Sequence, residues 1–343
     1  MTHSVAIVGA GALGQVYAAQ LANARRPVTL LTRQPSFERL ARGGSVRLRG
    51  ILEMHVPLHI LDGRPPPAGA IGLTADPARI APGSGLVFAT KAHQLGEAVE
   101  AVRTAETHWS APAAWVLGIQ NGLQKDDVLA DAFGVHRVIG AVTILAAQHA
   151  DDGSVVVTGP GPTYLGELAA DRRTAEYTRQ AVELLSAAGV PVQREADVRV
   201  VLWSKAANAA GVFGVCVLAR CSGLRMSGTP PLTRAFLALV RETAELAGAY
   251  GVRVADFPGF PMRTYTERAD EETVAALAAR AAELSASGAP ENFPSMVQDV
   301  LAGRPLEVEG VFGDLVERAA RRQVGVPRLT FVRDILRGIN GRG

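Results

Sequence analysis

The sequence predicts an α/β fold in which an N-terminal domain built on a parallel sheet is followed by an all-helical C-terminal domain. Three observations carry this reading. Ser4–Val8 is an apolar run that enters Gly9-Ala10-Gly11-Ala12-Leu13-Gly14 without a gap. An amphipathic helix to about Asn23 and a second apolar run, Val28–Leu31, complete a βαβ unit, which a right-handed crossover makes parallel. Apolar runs of strand length recur to about residue 193, and from about Asp197 the pattern turns almost wholly helical. The first part is thus a Rossmann-type domain over residues 1–196, and the helical part covers 197–343. A chain of 343 residues suits two such domains.

The glycines of the first turn have separate mechanical tasks. Gly9 permits the tight turn, Gly11 lets backbone approach a pyrophosphate, and Gly14 lets helix and strand pack closely. The helix N-terminus then offers unpaired N–H groups and a positive dipole end to phosphates. Residues Gly9, Ala10, Gly11, Ala12, Leu13 and Gly14 therefore form the expected dinucleotide cradle; the bland reading is a glycine-rich turn without function. The end of the second strand selects the cofactor. It reads Leu31-Thr32-Arg33-Gln34, with no acid to accept ribose hydroxyls and an arginine in its place. A guanidinium can grip a 2′-phosphate bidentately, whereas a carboxylate would repel it, so NADPH is expected over NADH. Against this, Arg33 is also what a solvated loop looks like in an arginine-rich chain.

The remaining strands follow in order. Gly44–Gly50 and Met54–Leu61 read as a β-hairpin, and a Pro/Gly-rich loop follows from Gly63. Leu86–Ala89 is a buried strand ending in Thr90-Lys91-Ala-His93. Ligands bind outside strand C-termini in open α/β sheets, so Lys91 is a candidate for the cofactor phosphates or adenosine end, against a plain loop cation. Ala114–Ile119 is the next strand and ends in Gln120-Asn121-Gly122. Asn121 either binds the nicotinamide or substrate, or caps a turn, since Asn-Gly is a common turn dipeptide. Strands near 138–145, 155–157 and 164–165, a helix over 174–188 and a strand over 190–193 close this half. Helices are then expected over 201–219, 231–250, 271–287 and 306–322.

Composition bounds the function. The formal net charge is +2 with both signs interspersed, which implies neither a nucleic-acid nor a membrane partner. Cys216 and Cys221 lie in an apolar run and read as core residues of a reduced, cytoplasmic protein. The chain starts straight into a strand without a signal-peptide pattern, and the apolar run 206–219 is too short to span a bilayer. Of 35 basic residues only three are lysines: Lys91, Lys125 and Lys205. An ammonium can give up a proton where a guanidinium cannot. Lys205 lies in the apolar, helix-favouring stretch Val201–Asn208, where a surface lysine is out of place, so a proton-donating or substrate-polarising role is weighed against snorkelling.

Taken in order and at their spacing, Gly9–Gly14, Arg33, Thr90-Lys91, Gln120-Asn121-Gly122, Trp203-Ser-Lys205, Pro294-Ser295-Met-Val-Gln-Asp299 and Glu307-Val-Glu309 resemble the ketopantoate reductase (2-dehydropantoate 2-reductase) family. The resemblance runs from residue 4 to about 330. It implies NADPH-dependent reduction of a small 2-oxo acid to a 2-hydroxy acid, most simply ketopantoate to pantoate in pantothenate biosynthesis. It further implies that Lys205 is the proton donor and Glu307 the carboxylate that positions the substrate hydroxyl, so that a retained Glu307 argues for a substrate with a hydroxyl, as in ketopantoate. Ser295 would contact the substrate carboxylate, Asn121 the nicotinamide and substrate, and Arg33 and Lys91 the cofactor. A homodimer is left open. For Glu307 the alternative is plain helix N-terminal electrostatics beside Pro305, and for Ser295 it is an N-cap after Pro294.

The match has gaps. The family's asparagine four residues after the lysine is replaced by Asn208 at three residues, which still shares the lysine's face of a helix and can substitute in substrate binding. The second asparagine is absent, with Val212 or Phe213 in its place, and Leu306 stands where a threonine is common. A family member acting on a less polar 2-oxo acid or carbonyl compound is therefore the alternative, and a non-catalytic NADPH-binding regulatory protein the third.

Overall fold

Val5–Val8, four buried apolar residues in succession, form β1. The computed structural model describes residues 4–289, 291 and 293–340. The chain divides into two compact units: Met1–Gln120 with Lys125–Val198, and Asn121–Gln124 with Arg199–Gly343. In the first unit β1 is followed by α1 (Ala12–Asn23), β2 (Val28–Leu31), α2 (Gln34–Gly43), β3 (Ser45–Gly50), β4 (Met54–Ile60), β5 (Ile71–Thr74), β6 (Gly85–Phe88) and α3 (Leu95–Glu106). Then come β7 (Val116–Gly118), α4 (Gln124–Phe133), β8 (Ile139–His149), β9 (Val155–Glu167), α5 (Arg172–Ala187) and β10 (Val192–Arg194).

The strands make a sheet in the order β10-β9-β3-β4-β5-β2-β1-β6-β7, with β8 paired to β9. From β4 to β7 every pairing is parallel, and β1 lies between β2 and β6. Strands buried on both faces tend to be apolar throughout, which is why β1 and β6 read as hydrophobic runs, whereas the equally buried β5, with Gly72 and Thr74, gives no such run and is not foreseen from the sequence. The expected hairpin is present, with β3 antiparallel to β4.

Two expectations change here. The two short strands near 155–165 are one long strand, β9, paired antiparallel with β8 over most of its length. Pro160 and Pro162 lack N–H donors, and the pairing shifts register between Thr143 and Leu145 and again between Ala146 and Ala147. Second, α1 is not amphipathic: Gly14 to Ala22 are all buried. Its side chains share one core with residues of β1 to β5 and with Ile139, Leu145, Val155 and Leu165 of β8 and β9. Tyr17 is anchored among those outer strands, its hydroxyl donating to Thr143 Oγ1 at 3.2 Å and hydrogen-bonded to Thr163. With strands and residues of α5 packed around it, the helix from Gly14 to Ala22 has no solvent face to keep polar.

The second unit is helical: α6 (Val198–Ala219), α7 (Gly223–Gly228), α8 (Pro230–Ala249), α9 (Met262–Glu267), α10 (Asp270–Ala286), α11 (Ser295–Leu301), α12 (Asp314–Arg322) and α13 (Pro327–Asn340). Its centre is α6. A methyl added at Gly211 would lie 2.7 Å from Phe236, and one at Gly214 would lie 2.7 Å from Leu239, so these glycines let α8 approach closely. At 22 residues α6 is long and apolar enough to cross a membrane, but 78% of its most apolar window is buried within the protein, as in a core helix. The helix expected over 306–322 opens instead as a π-helical segment, Glu309–Gly313. Such wide turns are rare and concentrate at functional sites. A side chain at Gly313 would overlap the Glu309 carboxylate, which Arg337 of α13 holds through bonds of 2.7 and 2.6 Å.

Candidate active site

The glycine turn of the first unit has the geometry its sequence requires. Gly9 has φ +113°, and a Cβ there would press on the Thr90 amide at 2.8 Å. A Cβ at Gly14 would overlap the Gly9 carbonyl oxygen, so only glycine lets α1 start so close to β1. Gly11 is exposed, caps α1 with extended backbone and leaves the first turn open, with no acid in it. Gln15 holds the turn from beneath, its Nε2 donating to the Ala10 carbonyl at 2.9 Å. An anion meets free N–H groups and a positive dipole end here.

This turn lies at the switch point of the sheet. The chain builds β2 on one side of β1 and later returns to lay β6 on the other. The crevice beyond the carboxyl ends of two such strands is where open α/β sheets bind ligands. Lys91 begins just past β6 and is partly exposed. Thr90 accepts a hydrogen bond from Gln120 Nε2 at 3.2 Å, which ties the ends of β6 and β7 together. Gln120 is a residue that sequence reasoning passed over, although its place at a strand end beside Asn121 was the available signal. Arg33 is exposed two residues after β2, at the N-cap position of α2, with no side-chain capping bond.

The second unit carries the other candidates. Lys205 and Asn208 are partly exposed on α6, whereas their neighbours Ser204, Ala206, Ala207 and Ala209 are buried. Val212 shares their face and is also partly exposed, while Phe213 is only 8% exposed; Val212 is therefore the residue that continues the line. Glu307 is buried, and its carbonyl accepts from the Val311 N–H at 3.2 Å where the π-helical segment begins. The preceding N–H, of Leu306, is held by Asn340 Oδ1 at 2.8 Å. Ser295 is exposed and is the first residue of α11; the N-cap position falls to Pro294. Asn121 begins a loop that clusters with this unit, not with the strand it follows. Gly122, at φ +86°, backs so closely onto Gly310 that a Cβ would overlap the Gly310 carbonyl oxygen. The loop of Asn121 is thereby seated against the helical segment that follows Glu307.

The three lysines now separate. Lys125 is buried and paired with Asp126 at 2.8 Å within α4, a structural role. Lys91 lies at the sheet's switch point and Lys205 on the central helix of the second unit. The Arg337 guanidinium holds the Glu309 carboxyl below its usual range.

Sequence comparison decides the family. The sequence model of ketopantoate reductase PanE/ApbA matches residues 5–170, and that of its C-terminal domain matches 197–340. The chain belongs to the ketopantoate reductase family. It is accordingly an oxidoreductase acting with a nicotinamide cofactor. A family relative, the 2-dehydropantoate 2-reductase of Halobacterium salinarum, is 28% identical over 335 residues, covering 97% of each chain. The crystal structure of 2-dehydropantoate 2-reductase from Geobacter metallireducens superimposes with a TM-score of 0.77 at 25% identity, covering 98% of this chain and 99% of that one. The ternary structure of a D-mandelate dehydrogenase with NADH and anilino(oxo)acetate shares the fold, with a TM-score of 0.77 at 17% identity and 98% of both chains covered.

Proposed function

We propose that this ketopantoate reductase family member reduces a 2-oxo acid of the ketopantoate type to the 2-hydroxy acid, with NADPH as reductant. The observation that carries the reading is Lys205: an ammonium on the partly exposed strip of a helix that is otherwise buried from Val201 to Val217, with Asn208 three residues on. When bound, NADPH supplies the hydride. Gly9 to Gly14 and the N-terminus of α1 hold its pyrophosphate, Lys91 its phosphate or adenosine end, and Arg33 its 2′-phosphate.

As negative charge grows on the ketone oxygen, the Lys205 ammonium donates a proton to it. General acid help of this kind is worth about 10²–10⁴ in rate. Glu307 positions the substrate. Asn121 and Asn208 orient the substrate by hydrogen bonds, and Ser295 contacts its carboxylate. The absence of an acid at the end of β2, with Arg33 there instead, supports NADPH over NADH.

The test is NADPH oxidation with ketopantoate and a panel of small 2-oxo acids, followed by absorbance, with NADH in parallel. Transfer of an isotopic label from NADPH to the carbonyl carbon is the expected result. No label transfer to any of these ketones would leave a cofactor-binding protein without reductase activity. Faster turnover with NADH would assign the cofactor differently.

A further inference from the structure

Between Val201 and Val217, α6 is buried at every position except Lys205, Asn208 and Val212. At 3.6 residues per turn these three fall within an arc of about 60°, and at 1.5 Å per residue they span about 10 Å of helix axis. The same line continues one turn further through Val201 at one end and Cys216 at the other, and both are fully buried. The strip is a window closed at both ends. Gly211 and Gly214 take the close packing against α8 on other faces of the helix. Within the window the chemistry is graded: an ammonium, then an amide, then a branched alkyl group.

Val212 offers no hydrogen-bonding atom. A substrate hydroxyl brought against it gives up water and gains no partner, while an alkyl or aryl group gains by leaving water. We propose that Val212 sets the substrate class of this enzyme, favouring 2-oxo acids whose far end is alkyl or aryl over those that carry a hydroxyl there. The inference rests on the reading of Lys205 as the group at the ketone oxygen. With the oxo group at Lys205 and the 2-oxo acid lying along the strip, its substituent runs past Asn208 towards Val212. Asn208 retains one polar contact near the reacting end, and the far end is apolar.

The experiment compares kcat/KM for ketopantoate with that for its analogue carrying hydrogen in place of the terminal hydroxyl, in the wild type, Val212→Asn and Val212→Thr. The wild type is expected to prefer the analogue. Val212→Asn is expected to move the ratio towards ketopantoate by about 10–200-fold, the range over which apolar pockets discriminate. Val212→Thr keeps the shape of valine and moves the ratio the same way, which covers the case of an asparagine variant that does not fold. A wild type that prefers ketopantoate, or a ratio unchanged in folded variants, overturns the proposal. Wild-type protein that reduces neither acid, nor any other 2-oxo acid, overturns the reductase reading beneath it, which is a different result from an unchanged ratio.

Discussion

Lys205 and Arg33 are both cations, and they ask for different tests because their chemistry differs. Lys205→Ala removes a proton donor while leaving the glycine turn of the first unit untouched. Turnover is expected to fall by about 10²–10⁴ with NADPH affinity nearly unchanged, measured by steady-state kinetics and cofactor titration. A variant with normal turnover would take Lys205 out of the mechanism. Arg33→Asp places a carboxylate where the 2′-phosphate is expected. Hydrogen bonds to charged groups contribute about 1.5–3 kcal/mol, so NADPH should bind about 10–150-fold more weakly and its preference over NADH should narrow. An unchanged preference would mean that the 2′-phosphate is read elsewhere. The sequence singled out both residues from type alone, since lysine is scarce in this chain and acid is missing after β2. It gave Lys125 no role, and the structure shows what that lysine does instead: it forms a buried pair with Asp126, a contact between side chains that no spacing rule predicts.

At the scale of elements, the π-helical segment Glu309–Gly313 departs most from the sequence pattern, which reads as a plain helix from 306. Its glycines are visible in the sequence, but the widened turn depends on what they touch. Gly310 receives the backbone of Gly122, and Gly313 receives the Glu309 side chain. Glu309 in turn is gripped by Arg337, whose charge lowers the carboxyl below its ordinary value. A carboxyl depressed in the folded state contributes stability at pH above its unfolded value. That contribution is lost as pH falls through the folded value. The pair is about half exposed, so its contribution is about 0.2–1 kcal/mol. Thermal melts should show Glu309→Gln less stable than wild type at neutral pH, with the gap closing in acid. A gap that persisted at low pH would show that the carboxylate's charge is not what holds α13 to the segment. On α6 the sequence already sets Asn208 on the face of Lys205, and burial adds that this face is the partly exposed strip of an otherwise buried stretch from Val201 to Val217. It also decides between Val212 and Phe213, which the spacing alone left undecided.

For the molecule as a whole, the outer strands β8 and β9 turn an ordinary βαβ start into a sheet that encloses its first helix. Tyr17 records that enclosure, since its hydroxyl reaches strands more than a hundred residues away in sequence. Tyr17→Phe should cost about 1 kcal/mol in denaturant unfolding, the low end for a lost buried partner, because Thr143 and Thr163 still bond each other at 3.1 Å. A neutral substitution would mean that α1 is held by apolar packing alone. By itself the sequence determined the strand–glycine–helix start, the parallel strands, the helical second half and the residue types able to bind a dinucleotide and donate a proton. These follow from local periodicity and from steric limits within a few residues. Tertiary structure alone decided that α1 has no solvent face and that Asn121 clusters with the helical unit. It also decided that Gly122 meets Gly310 and that Val212 shares the open face of Lys205. Each of these is set by which surfaces are covered by distant parts of the chain, and burial of that kind leaves no period in the sequence.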